Sequence, residues 1–235
     1  MDYKSIVIGS SSGIGLAITQ ELLKRNHQVT GISRREVSEK NIKYNHLELD
    51  VTSDLFINSI KNHLNLEDYN NLIFCVGKNN IKLAKDLKKI DIVGLLETNL
   101  IPALLISSEF AKSRNKSIAS SILFIGSIWS SFGLKGRSIY GATKSALAGY
   151  TKHLSAELSP LNCLVNVLSP GFTDTPLTEK SINDPKIKNV LPRVDRNCLL
   201  KTNEIATHSI MLIAPYNKCI TGQEIFSDGG FSAHG

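Results

Sequence analysis

The sequence has few cysteines, few aromatic residues and no long apolar stretch. Its four cysteines have no paired spacing and its six histidines form no short ligand motif, so we expect neither a disulfide framework nor a metal site. Aromatic residues make up only 6% of the chain and the lysines are dispersed. Nucleic-acid binding needs basic residues clustered with aromatic ones, so this class of function is not expected either.

The chain also lacks the signals of export and membrane insertion. The N-terminal MDYKSIVIGS has no basic region followed by a long apolar core, and no apolar run approaches the ~20 residues of a membrane span. We therefore expect a cytoplasmic protein. With 235 residues, 42% of them hydrophobic, and no break in composition, the chain is predicted to form a single domain over residues 1–235. Its net charge of +6 fits either an anionic ligand or acidic carrier protein, or a lysine-rich solvated surface.

Short apolar runs alternate with segments of helical periodicity along the whole chain. This alternation predicts an α/β fold, a Rossmann-like doubly wound parallel sheet of about seven strands with helices on both faces. Residues 172–203 contain several turn formers and are predicted to form a mobile substrate loop. The predicted strands are 5–8, 27–32, 44–49, 71–76, 120–125, 162–168 and 224–227. The main predicted helices are 16–25, 53–64, 91–112 (with a candidate kink at Pro102), 139–158 and 203–214.

A glycine-rich turn follows the first predicted strand. Gly9 and Gly13 permit a tight turn and close approach of the backbone to a ligand, while Gly15 permits close packing of helix on strand. The helix that follows presents free N–H groups at its N-terminus, where a pyrophosphate can bind. Strand, turn and helix together predict a dinucleotide-binding site.

The second predicted strand ends in Ser33-Arg34-Arg35, where a dinucleotide fold meets the adenosine ribose. An acidic residue there would bond a ribose 2′-hydroxyl, whereas arginines pair with a 2′-phosphate. Because no acid is present, the sequence favours NADP(H) over NAD(H).

Tyr140 and Lys144 lie four positions apart in a predicted helix, so both side chains project from one face. An ammonium held near a phenol favours the phenolate and would bring the pKa of Tyr140 toward neutral pH. Ser127 follows a buried strand, at the edge of the sheet where open α/β proteins bind ligands. These three residues predict an active site, although a Tyr and a basic residue at this spacing also occur together by chance.

With these motifs in place, the chain resembles the short-chain dehydrogenase/reductase family over essentially all 235 residues. The resemblance implies that Asn99, Ser127, Tyr140 and Lys144 are a catalytic tetrad, with 13 positions from Ser127 to Tyr140 as is usual in the family. Residues 166–175 resemble its nicotinamide-binding segment, and residues 221–223 and 228–230 its C-terminal end. The implied cofactor-binding residues are Gly9, Ser11, Ser12, Gly13, Ile14, Ser33, Arg34, Arg35, Asp50, Val51, Cys75, Val76, Gly77, Tyr140, Lys144, Pro170, Gly171, Thr173 and Thr175.

The resemblance also implies roles for the tetrad. Tyr140 exchanges a proton with a carbonyl oxygen, Ser127 hydrogen-bonds that oxygen, and Lys144 lowers the pKa of the tyrosine and holds the nicotinamide ribose. Asn99 is expected to hold a water that links Lys144 to solvent. The family also implies a homodimer or homotetramer formed by the helices 91–112 and 139–158.

Three functions remain open at this level. The overall resemblance is to the 3-oxoacyl-carrier-protein reductase group, and the basic residues between 172 and 201 fit an acidic carrier. A reductase of a small free ketone, sugar or polyol and a nucleotide-binding regulator without turnover are the alternatives. The chain departs from the family's pattern at two places, since Cys75-Val76 stand where it commonly has Asn-Ala and Ile8 stands where a threonine usually precedes the first glycine.

Overall fold

A parallel sheet of seven strands runs through the part of the chain that the structure describes. The computed structural model describes residues 3–35, 37, 39–114, 116–182 and 198–233. The strands are β1 (Lys4–Ile8), β2 (Gln28–Ser33), β3 (Tyr44–Glu48), β4 (Asn71–Phe74), β5 (Ser120–Ile125), β6 (Cys163–Pro170) and β7 (Glu224–Ser227). They pair in the order β3-β2-β1-β4-β5-β6-β7, and every pair is parallel. The predicted fold class is confirmed.

Helices cover both faces of this sheet. Successive side chains of a strand point to opposite faces, so a strand made of apolar residues leaves both faces apolar and both must be covered. In β5, Ile122 and Phe124 belong to one buried cluster and Leu123 and Ile125 to the other. The helices in the described residues are α1 (Gly13–Lys24), α2 (Phe56–His63), α3 (Lys89–Asn99), α4 (Ile101–Lys112), α5 (Ser138–Leu158), α6 (Pro176–Ile182) and α7 (Thr202–Ile213). Helices α2, α4 and α5 pack on the first cluster, and α1 and α7 on the second.

The strand order reverses direction between β1 and β4. The chain leaves β1 toward β2 on one side, and it crosses to β4 and then β5 on the other. The loops after β1 and β4 therefore diverge and leave a crevice at the carboxyl edge of the sheet, which is where open α/β sheets bind ligands.

The single helix predicted over residues 91–112 is two helices. The chain breaks at Leu100, whose φ and ψ are −120° and −62°, and Pro102 then lies in the first turn of α4. Proline is tolerated there because the first turn needs no N–H partner. The Asn99 side chain bonds the backbone of Lys78 at the same point, which holds the break in place.

By length and mean hydropathy alone, Lys89–Lys112 meets the criteria for a membrane-crossing helix, with a value of 1.6 over 18 residues. The prediction that no apolar run approaches this length was therefore too strong. Within the protein, 33% of this window is buried, and the buried side chains of α3 and α4 include Leu95, Ala103, Ile106 and Phe110.

Other boundaries differ by a few residues, for reasons of pairing. Strand β4 ends at Phe74 rather than residue 76, because its neighbour β1 ends opposite it at Ile8. Strand β6 continues to Pro170, because β7 pairs with it that far. The predicted loop 172–203 contains the short helix α6 and the first two residues of α7. Residues 183–197 lie outside the described part of the chain, and with them the basic residues Lys186, Lys188, Arg193 and Arg196.

Candidate active site

A cleft of about 700 Å³ opens at the carboxyl edge of the sheet. It is lined from the ends of β1, β2, β4, β5 and β6 and from the N-termini of α1 and α5. Every residue predicted for the site lines this cleft except Asn99. The structure thus brings together residues that lie as far apart in the sequence as Gly9 and Thr175.

The glycine turn forms one wall of the cleft. Gly9 and Gly13 have φ of +91° and +54°, in the left-handed region that favours glycine. A Cβ on Gly9 would lie 3.1 Å from the backbone of Cys75, and one on Gly15 would lie 2.1 Å from the carbonyl oxygen of Gly9. Larger residues would therefore fill or distort this cradle, in which the backbone and the start of α1 are open to the cleft.

Two exposed arginines lie at the end of β2. Arg34 and Arg35 both line the cleft, and the Ser33 hydroxyl donates to the Arg35 carbonyl oxygen at 2.8 Å. Across the cleft, Asp50 accepts hydrogen bonds from Thr52, which hold the pKa of its carboxyl below the ordinary value, and the charge of Arg34 adds to this effect. This end of the cleft therefore has the positively charged side chains of Arg34 and Arg35 at its rim.

Tyr140 and Ser127 both line the cleft, and the two hydroxyls are close enough for Ser127 to affect the pKa of the phenol. Ser127 also accepts a bond from the Trp129 N–H at 3.3 Å. Burial raises the pKa of the Tyr140 phenol, while the nearby Ser127 hydroxyl and the positive charge of Arg137 oppose that rise. The phenol therefore holds its proton at neutral pH in this structure.

Lys144 lies beneath the tyrosine and is only 2% exposed. Its Nζ donates to the Ile125 carbonyl oxygen at 2.7 Å and lies 5.9 Å from the centre of the Tyr140 ring. Burial lowers the pKa of this ammonium to about 8. The predicted lowering of the tyrosine pKa by Lys144 does not appear here, because Lys144 is turned to the strand and the cation that acts on the phenol is Arg137.

Asn99 lies behind the cleft rather than in its lining. Its amide oxygen accepts from the Lys78 N–H at 2.7 Å, and its amide nitrogen donates to the Lys78 carbonyl oxygen at 2.9 Å and to the Thr143 hydroxyl at 3.2 Å. These bonds tie the chain after β4 to the end of α3. The water-holding role expected of Asn99 stays a prediction.

The chain's departure at Cys75 changes the chemistry of the strand end but not its shape. Burial raises the pKa of the Cys75 thiol to about 12, so this side chain is neutral at physiological pH. Its backbone N–H continues the β1 pairing by donating to the Ile8 carbonyl oxygen at 2.8 Å. Cys75, Val76 and Gly77 all line the cleft, and the thiol replaces the amide expected there without blocking it.

Sequence reasoning missed an aromatic wall of the cleft. Trp129 and Phe172 line the cleft next to Ser127, with ring centres 5.7 Å apart and nearly perpendicular. Phe231 packs on both rings, at 6.1 and 5.9 Å. These residues have no shared periodicity, so only the fold brings them together. Arg137 was also missed, because a buried cation directly before α5 matches no helix-start signal.

A family model described as short chain dehydrogenase matches residues 4–186, about three quarters of the chain. The chain belongs to the short-chain dehydrogenase family. This membership makes it an oxidoreductase and confirms the resemblance on which the predictions for the site rest.

Relatives cover nearly the whole chain. A 3-oxoacyl-[acyl-carrier-protein] reductase of Salmonella typhimurium is 29% identical over 234 residues, with 96% of each chain covered. Carbonyl reductase family member 4 of Xenopus laevis is 32% identical over 238 residues, with 97% of each covered. The solved structure of ElxO with NADP bound has the same fold, with a TM-score of 0.85 and 23% identity over 99% of this chain and 100% of that one.

Proposed function

We propose that this protein is an NADP(H)-dependent oxidoreductase that interconverts a carbonyl and a secondary alcohol. The observation that carries the proposal is that Tyr140, Ser127 and Lys144 line the same cleft as the glycine turn, with the Lys144 Nζ 5.9 Å from the centre of the Tyr140 ring. A proton donor and a dinucleotide cradle in one cleft are what such a reaction requires.

The residues of the cleft fit NADP(H). The glycine turn leaves its backbone and the N-terminus of α1 open, which suits a pyrophosphate. The exposed guanidinium groups of Arg34 and Arg35 at the end of β2 suit a 2′-phosphate, and β2 ends without an acid that would prefer a 2′-hydroxyl. Solved relatives that carry NADP support the same choice.

When bound, the nicotinamide group supplies or accepts the hydride. The chain's own residues handle the proton and the geometry. The Tyr140 hydroxyl gives its proton to the carbonyl oxygen in the reducing direction, and the Ser127 hydroxyl holds that oxygen in place. Because the phenol is protonated at neutral pH, the resting site is set for reduction. Lys144 would hold the nicotinamide ribose, and the charge of Arg137 would favour the tyrosinate left behind.

For the substrate, we propose a 3-oxoacyl thioester on an acyl carrier, in line with the relatives that bear this name. The aromatic wall of Trp129 and Phe172 gives the cleft an apolar side on which an acyl chain can pack. The same wall suits a small apolar ketone, and the carbonyl reductase relative supports this second candidate. We further propose that the chain is one cytoplasmic domain that forms a dimer or tetramer through α3, α4 and α5.

Two measurements test the proposal. Purified protein with NADPH should reduce at least one member of a panel of an acyl-carrier thioester, a free β-keto ester and a sugar ketone. Failure to oxidise NADPH with every member would leave a nucleotide-binding regulator as the better explanation.

Calorimetric titration should show NADPH binding at least ~10-fold tighter than NADH, since one charge-assisted contact worth ~1.4 kcal/mol gives that factor. The variant Arg34→Ala, Arg35→Ala should lose this preference while keeping its affinity for NADH. Equal affinities in the wild-type protein would show that these arginines face solvent.

A further inference from the structure

A half-buried carboxylate lies behind the turn that carries Ser127. Glu224, the first residue of β7, accepts a hydrogen bond of 2.5 Å from the Ser169 hydroxyl and a second, short bond from the Ser130 hydroxyl. Ser169 accepts in turn from the Ser127 N–H at 3.2 Å. Glu224 is thus bonded directly to Ser130 at one end of the turn 127–130 and is linked through Ser169 to Ser127 at the other, and none of these three serines is near it in the sequence.

We propose that Glu224 is a positioning residue that holds the Ser127 hydroxyl in its catalytic place through Ser169 and Ser130. This inference rests on the proposed function, in which Ser127 hydrogen-bonds the reacting oxygen. Glu224 does not line the cleft, so its effect must pass through these serines.

Ser169 is the first link. It is fully buried at 0% exposure, and Gly126 leaves room for it, since a Cβ on Gly126 would lie 2.3 Å from the Ser169 oxygen. A hydroxyl has one hydrogen, and the bond to a carboxylate is the stronger use of it. With that hydrogen directed at Glu224, the lone pairs of Ser169 remain to accept the Ser127 N–H.

Ser130 is the second link. Its hydroxyl is within reach of two acceptors, the Ser127 carbonyl oxygen at 2.7 Å and Glu224. The Ser130 carbonyl oxygen also accepts from the Ser145 hydroxyl on α5, at 2.5 Å. Glu224 therefore anchors the turn to β7 while Ser145 anchors it to the helix that carries Tyr140, which sets the distance between Ser127 and Tyr140.

The test compares Glu224→Ala and Glu224→Gln with the matched control Glu157→Ala, which removes an exposed carboxylate on α5. With saturating NADPH and the most active carbonyl compound of the panel, Glu224→Ala should lower kcat about tenfold, because misplacing a reacting group by a fraction of an ångström has this size of effect. KM and NADPH affinity should stay within about twofold, since the cradle is untouched. Glu224→Gln keeps an acceptor oxygen and should retain kcat within about threefold.

Combining Glu224→Ala with Ser127→Ala separates a positioning effect of Glu224 on Ser127 from a general loss of structure. In the Ser127→Ala background, Glu224→Ala should lower kcat by less than about twofold, because the group that it positions has been removed. If Glu224→Ala does not fold, Ser130→Ala replaces it and should show the same dependence on Ser127.

An unchanged kcat in Glu224→Ala, an equal loss in Glu224→Gln, or an undiminished loss in the Ser127→Ala background would overturn the inference. Wild-type turnover by Ser127→Ala alone would instead overturn the proposed active site. The two failures are therefore distinguishable.

Discussion

Replacing Lys144 by methionine should stabilise the protein while abolishing its activity. Lys144 is 2% exposed, and burial lowers its pKa from 10.5 to about 8. At roughly 1.4 kcal/mol for each pH unit between the two values, holding this ammonium in the folded state costs about 3 kcal/mol at pH 7. Methionine has a similar length and no charge, so Lys144→Met removes this cost.

The gain is partly offset by the lost bond from Nζ to the Ile125 carbonyl oxygen, whose removal costs about 1–2 kcal/mol. The net stabilisation at pH 7 should be about 1–2 kcal/mol. For a chain of this size that corresponds to a rise in Tm of roughly 2–8 °C. Lys152→Met, the same change at an exposed position of α5, is the control and should move Tm by less than about 2 °C.

The stability of Lys144→Met relative to wild type should also depend on pH. Below pH 8 both the folded and the unfolded chain hold the Lys144 proton, so the full cost is present. As the pH rises from about 8 toward 10.5, the folded state releases this proton before the unfolded state does, and the wild-type protein gains relative stability. The advantage of Lys144→Met should therefore shrink to near zero at pH 9.5.

Urea unfolding of the ligand-free proteins at pH 7 and pH 9.5 measures the difference in stability between Lys144→Met and wild type, and how that difference changes with pH. A variant that is less stable than wild type at pH 7, or a difference that does not change between the two pH values, would refute the reasoning. Either result would show that keeping the charged Lys144 side chain buried does not cost the folded protein about 3 kcal/mol.

Three further predictions concern the site and the assembly. Tyr140→Phe should lower turnover at least ~10²-fold with NADPH affinity nearly unchanged, and a variant that keeps a third of wild-type turnover would contradict the proton-donor role. Gly15→Ala should destabilise the fold by about 1–3 kcal/mol and weaken NADPH binding, because the new Cβ would lie 2.1 Å from a backbone oxygen. The control Gly149→Ala has open space around its Cβ and should stabilise α5 by about 0.5–1 kcal/mol. Thermal melts measure both changes in stability. Light scattering should give a multiple of 25.8 kDa at micromolar concentration, and a monomer mass would exclude the proposed dimer or tetramer.

Local patterns were enough to predict the sheet and most of the cleft. Strands β5 (Ser120–Ile125) and β7 (Glu224–Ser227) have the predicted bounds, and the carboxyl ends of successive parallel strands meet at one edge of the sheet. For this reason the amino-acid sequence alone places the glycine turn, Arg34, Ser127 and Tyr140 in one cleft.

What could not be predicted depends on contacts between distant residues. The break at Leu100 is held by Asn99 bonding the backbone of Lys78, 21 positions away. The raised pKa of Tyr140 comes from burial under the completed fold, so the sequence argument from the adjacent Lys144 had the direction wrong for this structure. Helical spacing places two side chains on one face but does not say where either one points.

The aromatic wall also has a practical consequence. Trp129 is the one tryptophan in the sequence, and it lines the cleft beside Ser127. Excitation near 295 nm therefore reads a single indole next to the proposed substrate. Because its emission overlaps the absorption band of reduced nicotinamide, cofactor docking can be followed by energy transfer from Trp129. Ligands that pack on its ring without turnover can be ranked by quenching, so the protein carries its own optical probe for finding its substrate.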